Sequence, residues 1–290
     1  MSEDRRPRSG WLLPALVLAA GGGWTSRVPL GAEGSTWRTV APGLEVGRLA
    51  SPRPAPSGSS IVTVVRVDPE RYEFRLLSAR LLGLRDNPSA PEWVDRHGVL
   101  GVVNASMFQA DHKTSTAHMR DGEAINNASW SKDRAVFASQ PREAGPPAAQ
   151  IIDRTCQDLK ALAGKYRVLV QSIRMIDCQG RNVWGPQPRK WSTACVGTDL
   201  LGRVLLIHVR SPYSTHDLVD ILLALPLGLK RLMYVEGGPE ASLYVRAAGQ
   251  VVVSEMGSFE TGFLERDDNT IFWPLPNVIG FAPRTTVEKP

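Results

Sequence analysis

Cysteine and histidine are scarce in this chain, with three and five copies among 290 residues, and neither falls at a spacing that holds a metal. Cys156, Cys178 and Cys195 match no C-x2-C pattern, which excludes the common zinc-finger and zinc-ribbon layouts. His97, His112, His118, His208 and His216 form no H-E-x-x-H set, which removes the zincin type of hydrolase. No G-x-S-x-G is present, so a serine hydrolase built on a nucleophile elbow is unsupported. Nothing around Cys178 or Cys195 resembles a nucleophile's surroundings, and a structural role fits both. His208 lies in the apolar run VLLIHV and reads as a core histidine. The sequence therefore calls for no cofactor and no metal. An odd cysteine count allows one structural disulfide with a thiol left over, and the pairing stays open at this level.

Clustered charge of one sign is also lacking. The net charge is +5, but arginine is spread along the chain and interleaved with Asp and Glu. Nucleic-acid binders concentrate their positive charge in a patch or stripe, so no nucleic-acid partner is expected. Internal repeats, heptads and long low-complexity tracts are missing from the body of the chain. The one notable apolar run, WLLPALVLAA (11–20), is short against the ~20 residues of a spanning helix. It follows a basic start with Arg5, Arg6 and Arg8, the pattern of a secretory signal. Residues 1–35 thus read as a signal peptide or N-terminal anchor plus linker, and 36–290 as one domain. The expected location is periplasmic or extracellular, with membrane association only through an uncleaved signal.

What is present is an ordinary globular composition, 42% hydrophobic and 22% charged, arranged mainly as strands. IVTVVRV and YEFRLLS pair as strands, VLGVVN is a buried one, and LLGRVLLIHV follows a turn at Asp199 to Gly202. SAPEWVDRHG has helix grammar, with Ser89 as cap, Pro91 early and Gly98 as stop. DRTCQDLKALAGKY and STHDLVDILLALPLG read as two further helices, and CQGRNVW as a hairpin turn leading into a strand. Residues 26–60, rich in Pro, Gly and Ser, read as linker and then irregular lead-in. The fold class expected is α+β, a largely antiparallel or mixed sheet with a few packed helices in a single domain.

Polar residues gather at the ends of several of these strands. Asn104 and Ser106 form one group, Gln171 and Arg174 a second, and Glu236, Glu240 and Ser242 a third. Strand ends hold side chains rigidly while leaving their tips open to a cleft. In YVEGGPEASLYV, Glu236 emerges from an apolar strand, and Gly237 and Gly238 permit a tight turn or the close approach of a ligand. Glu240 follows Pro239, where a carboxylate also serves a helical first turn. NAS occurs at Asn104 and Asn127 as a formal glycosylation acceptor, and Asn104 fits that role poorly at the end of an apolar strand.

Four stretches, NASMFQADHKTSTAHMRDGEAIN, QSIRMIDCQGRNVW, STACVGTDLLGRVLLIHV and LMYVEGGPEASLYV, occur in the order of motifs of the phosphodiester glycosidase family. The chain resembles that family from about Ile61 to Phe281, and PLPNVIGF is similar to its terminal strand. The family's LDGGGSS-like signature is altered here: Glu236 replaces the Asp, Pro239 the third Gly and Glu240 a following Ser. Where members often carry Arg in an RTAxG stretch this chain has Thr193, with Arg189 and Lys190 nearby. The resemblance implies a hydrolase acting on a carbohydrate or glycosyl-phosphate substrate. Glu236 stands at the position of the signature's carboxylate and is the first catalytic candidate, and Glu240, a departure from the signature, is the second. Asn104, Ser106, His112, Gln171, Arg174, Gly237, Gly238 and Ser242 become substrate-binding candidates. The competing expectation is an exported polysaccharide binder stacking sugars on Trp130, Trp184 and Trp191. A salt-paired Glu236 would favour the binder, and a second ionisable group in its cleft would favour the hydrolase.

Overall fold

The computed structural model describes residues 36–284, so the signal expected near the N-terminus lies outside the described residues. In chain order the strands are β1 (Thr36–Ala41), β2 (Leu44–Ala50), β3 (Ile61–Val67), β4 (Tyr72–Ser78), β5 (Gly101–Asn104), β6 (Met119–Asp121), β7 (Ala124–Asn127) and β8 (Ala135–Pro141). They continue as β9 (Ala149–Asp153), β10 (Tyr166–Arg174), β11 (Trp191–Asp199), β12 (Val204–Tyr213), β13 (Leu229–Gly237), β14 (Ser242–Ala247), β15 (Gln250–Met256) and β16 (Asn277–Pro283). Three helices accompany them: α1 (Ala90–His97), α2 (Leu159–Ala163) and α3 (Thr215–Ala224).

The larger sheet runs β1-β2-β3-β12-β11-β13-β10-β6-β7, with β8 branching from β10 and β9 from β8. The smaller runs β15-β14-β5-β16-β4. Every named pair is antiparallel. The expected antiparallel sheet with a few packed helices is found, and the fold is more β-dominant than the α+β class implies, because the segments left unassigned in the sequence are mostly strands.

Period-two alternation decides where each side chain goes. In β12, Val204 and Leu206 join the core between the sheets, with Phe74, Phe137 and Phe281, while Leu205 and Ile207 point to the opposite face. That second face is covered by Leu218, Val219, Ile221 and Leu222 of α3. In β13, Met233 and Val235 enter the inter-sheet core, and Leu232 and Tyr234 face the α3 side. A strand buried on both faces reads as one apolar run, which is why these two were visible as strands but not as two-faced ones. α1 covers the outer face of the smaller sheet with Trp93 and Val94. Its boundaries obey its grammar: the Ser89 N–H donates to Glu92 Oε2 at 2.8 Å, and Gly98 stops the helix at φ 63.

Four local expectations change. β3 and β4, expected to pair with each other, lie in different sheets, β3 between β2 and β12 and β4 beside β16. Residues 36–50, read as linker and irregular lead-in, form the hairpin β1–β2, turned at Gly43 and paired along β3, with the Arg66 guanidinium 3.9 Å from the Trp37 ring centre. The helix expected over 153–166 shrinks to α2. The Asp153 carboxylate gathers the N–H and hydroxyl of Thr155 into a turn, and Asp158 caps the short helix. The turn at Asp177 to Arg181 forms, but no strand succeeds it before β11, and residues 183–190 instead pass over the α3 side of the sheet.

Candidate active site

At the end of β13, on the α3 side, lies a cleft of about 440 Å³. One wall is apolar and aromatic, made by Met107, Phe108, Ile173, Trp184, Trp191 and Tyr234. The other carries Glu236, Gly237, Glu240 and Glu260, with Arg189 at the exposed rim.

Glu236 reaches the cleft through an irregularity in β13. Ala194 of β11 is opposite Glu236 and Cys195 opposite Tyr234, leaving Val235 as an extra residue. Such a bulge re-aims the side chains beside it. The turn after it is tight. Gly238 has φ 71, and a β-carbon there would stand 2.5 Å from Glu260 Oε2 and 3.5 Å from Glu240 Oε2. Two carboxylates thus converge on one glycine, and glycine is needed both for the angle and for the room.

Among the described residues, Glu236, Glu240, Glu260 and Arg189 form no ion pair. Glu236 Oε1 accepts the Gly237 N–H at 3.0 Å. Burial, reinforced by Glu240 and Glu260, pushes the Glu236 carboxyl up to about 8 against the opposing effect of that N–H. Glu240 is also raised, by burial and then by Glu260, with His112 acting in the opposite direction. The cleft therefore holds a carboxyl that keeps its proton at neutral pH beside other acids, the combination that divides acid and base roles.

The other predicted residues sort differently. Asn104 is buried behind the turn, its Nδ2 donating to Glu240 O at 3.0 Å and its Oδ1 accepting from Ser242 N at 2.7 Å. Engaged through both amide atoms, it positions the Gly-Gly-Pro-Glu turn and does not line the cleft. Ser242 Oγ donates to Glu240 O, and buried Ser106 donates to Gln171 O. Gln171 is fully buried, accepting from the N–H groups of His118 and Ser131 and donating to the carbonyls of Ser131 and Asp133. Arg174 is paired with Asp153 at 3.1 Å and hydrogen-bonded to Thr155. Neither Gln171 nor Arg174 lines the cleft, because each is held by its own polar partners. His112 stands outside the lining with its ring 5.4 Å from Phe108, and it acts on the site through Glu240.

Glu260 and Tyr234 were not selected from the sequence. Glu260 arrives on a loop after β15 that is fastened to the start of β11. Ser192 Oγ accepts the N–H groups of Ser258 and Phe259, and Thr261 exchanges hydrogen bonds with the backbone of Lys190. No local motif announces this pairing of segments far apart in sequence. Trp184, expected to serve a binder, is set in the wall by its own indole N–H, which donates to Arg174 O, and by Asn182 and His216 on its backbone.

The profile of the phosphodiester glycosidase family matches residues 97–282, which contain every residue of this cleft. The chain belongs to that family. No curated protein matches the sequence. Among solved structures, the fold is similar to the catalytic domain of zebrafish N-acetylglucosamine-1-phosphodiester alpha-N-acetylglucosaminidase, auto-inhibited by its pro-peptide. The TM-score is 0.61 at 11% identity, over 87% of this chain and 89% of that one. A hypothetical protein from Synechocystis is similar with a TM-score of 0.56 at 14% identity, over 86% of this chain and 64% of that one. These likenesses carry the fold. Membership of the family carries the reaction class, hydrolysis of a phosphodiester glycosidic linkage.

Proposed function

We propose that the protein is an exported hydrolase that releases a sugar from a sugar-1-phosphodiester, with Glu236 as the acid. The observation that carries this reading is the convergence of three carboxylates without cationic partners in one aromatic-walled cleft. Glu236 is not salt-paired and shares its cleft with Glu240 and Glu260, the condition that separates the hydrolase from the polysaccharide binder. In the proposed step the bond from the anomeric carbon to the phosphate oxygen breaks and its electron pair stays on the oxygen. The Glu236 carboxyl gives its proton to that oxygen. A water activated by Glu240 attacks the anomeric carbon, and Glu240 takes the water's proton. Arg189, unpaired among the described residues, is placed to hold a phosphate oxygen at the rim. The aromatic wall suits the apolar face of a sugar ring.

Export is supported by the basic and apolar N-terminal pattern and by the disulfide between Cys156 and Cys178, since disulfides persist in oxidising compartments. The test of the reaction is release of free sugar from a panel of sugar-1-phosphodiesters by the parent and by Glu236→Gln. A loss of roughly a hundredfold or more in a folded variant supports the assignment, equivalent to ~2.7 kcal/mol. Equal release by both removes Glu236 from the chemistry. Binding of polysaccharide without any release returns the binder.

A further inference from the structure

The carboxylates and the rim arginine leave part of the cleft without a task. Tyr234 is 6% exposed, lines the cleft, and its hydroxyl makes no hydrogen bond to any described residue. Its carbonyl, by contrast, accepts from Ser172 Oγ at 2.6 Å. The Tyr234 hydroxyl is open to the cleft, whereas the Trp191 indole N–H is buried without a partner. A buried donor left unmatched costs free energy, and its persistence calls for an explanation.

Both donors meet at Gly237. A β-carbon there would collide with the Tyr234 hydroxyl and would stand 2.7 Å from Trp191 Cδ1 and 3.1 Å from its Nε1. φ at Gly237 is −134°, an angle open to any residue, so glycine is required here for room alone. The missing side chain leaves the corner to the two donors. Trp191 is held in place by its bridge to Glu260, and Tyr234 by the pairing of β13 with β10 and β11.

We propose that the Tyr234 hydroxyl and the Trp191 indole N–H form a neutral donor corner that receives an anionic phosphate oxygen of the substrate. This inference rests on the hydrolase reading and deepens it by locating the phosphate. The chemistry favours neutral donors at this point. A cation there would pair with the neighbouring carboxylates, whereas an uncharged O–H and N–H remain available to an incoming anion. Burial, followed by the charges of Glu236, Glu260 and Glu240, raises the Tyr234 phenol well above its ordinary value, so it keeps its proton. Glu236, one residue before Gly237, is then close to the oxygen that leaves. The corner discriminates a phosphodiester from a glycoside whose leaving group carries no anionic oxygen.

The experiment uses the full-length protein with Tyr234→Phe and Trp191→Phe, each checked by thermal unfolding. Two readouts are taken. The first compares kcat/KM on a sugar 1-(methyl phosphate) with kcat/KM on the 4-nitrophenyl glycoside of the same sugar. Both substrates share any loss of contact between the wall and the sugar, so the donor is read from the ratio: loss of one donor to a charged oxygen should lower the phosphodiester value roughly 10- to 100-fold more than the nitrophenyl glycoside value. The second is binding of dimethyl phosphate, followed by phosphorus NMR, which needs no turnover. Binding by the parent that weakens about tenfold or more in Tyr234→Phe supports the corner even if no phosphodiester is hydrolysed. Equal losses on both substrates, or dimethyl phosphate binding that is absent in the parent or unchanged in both variants, would overturn it. Should Tyr234→Phe fail to fold, Trp191→Phe carries the same comparison.

Discussion

Two polar clusters lie on the strands around β13, and they are built on opposite principles. Beside β10, Asp153 is buried, paired with Arg174, and hydrogen-bonded to the backbone and hydroxyl of Thr155, next to the disulfide. In the cleft at the end of β13, the carboxylates and the arginine form no ion pair among the described residues, and two donors are unmatched. The first cluster satisfies its charges internally, which suits a structural brace. The second leaves them for a ligand, which is what chemistry needs and what stability disfavours. Exposure does not separate the two; partnership does.

The comparison can be broken by removing one member from each side. Asp153→Ala should cost about 3–5 kcal/mol of stability, because it leaves the Arg174 guanidinium without its buried partner, while kcat/KM at the native temperature changes little. Denaturant unfolding and sugar release together check this, and a variant of parental stability would remove the brace. Reducing the Cys156–Cys178 bridge, whose residues are 22 apart in sequence, should cost about 3 kcal/mol in the same cluster with activity retained.

Glu236→Gln should show the inverse pattern, a hundredfold or greater loss of activity in a protein that is no less stable. The pH dependence sharpens it. Glu236 holds its proton more tightly in the folded protein than in the unfolded chain, so it stabilises the fold fully below its ordinary 4.5. That contribution is lost as pH rises through about 8. The parent should therefore lose on the order of 4 kcal/mol relative to Glu236→Gln between pH 5 and 9, measured by urea unfolding at each pH. Its kcat/KM should fall over the alkaline end of the same range as the acid deprotonates. A flat difference between parent and variant would show that the carboxyl is ordinary. The smallest effect is expected at Asn104. Asn104→Ala removes two hydrogen bonds behind the turn and should cost about 1–3 kcal/mol, with activity falling because Glu240 loses its support.

Much of this was legible in local grammar. The capped ends of α1 and α3, the turn at Asp199 to Gly202 and the apolar runs of β3, β5, β12 and β13 came from spacing and turn residues. Residues 36–50 were not legible, since their Pro and Gly content hides a hairpin that is stabilised by pairing along β3. Glu236 and Glu240 stood out because they flank a Gly-Gly-Pro turn. Gln171 and Arg174 looked alike as polar strand-end residues, yet the structure ties each to polar partners away from the cleft. Glu260 gave no signal, because a glutamate in a polar loop is indistinguishable from a solvated one until its loop is fastened to Ser192.

By itself the sequence determined the strand-rich class, the family, and a carboxylate placed where a buried strand opens into a glycine turn. These depend on periodicity, turn chemistry and short motifs, which are properties of neighbouring residues. Only the tertiary structure decided which polar groups face one another, which charges are paired, and which donors remain free. Those properties arise from long-range strand pairing and from a one-residue bulge, and a one-residue slip in register sends a side chain to the opposite face of the sheet.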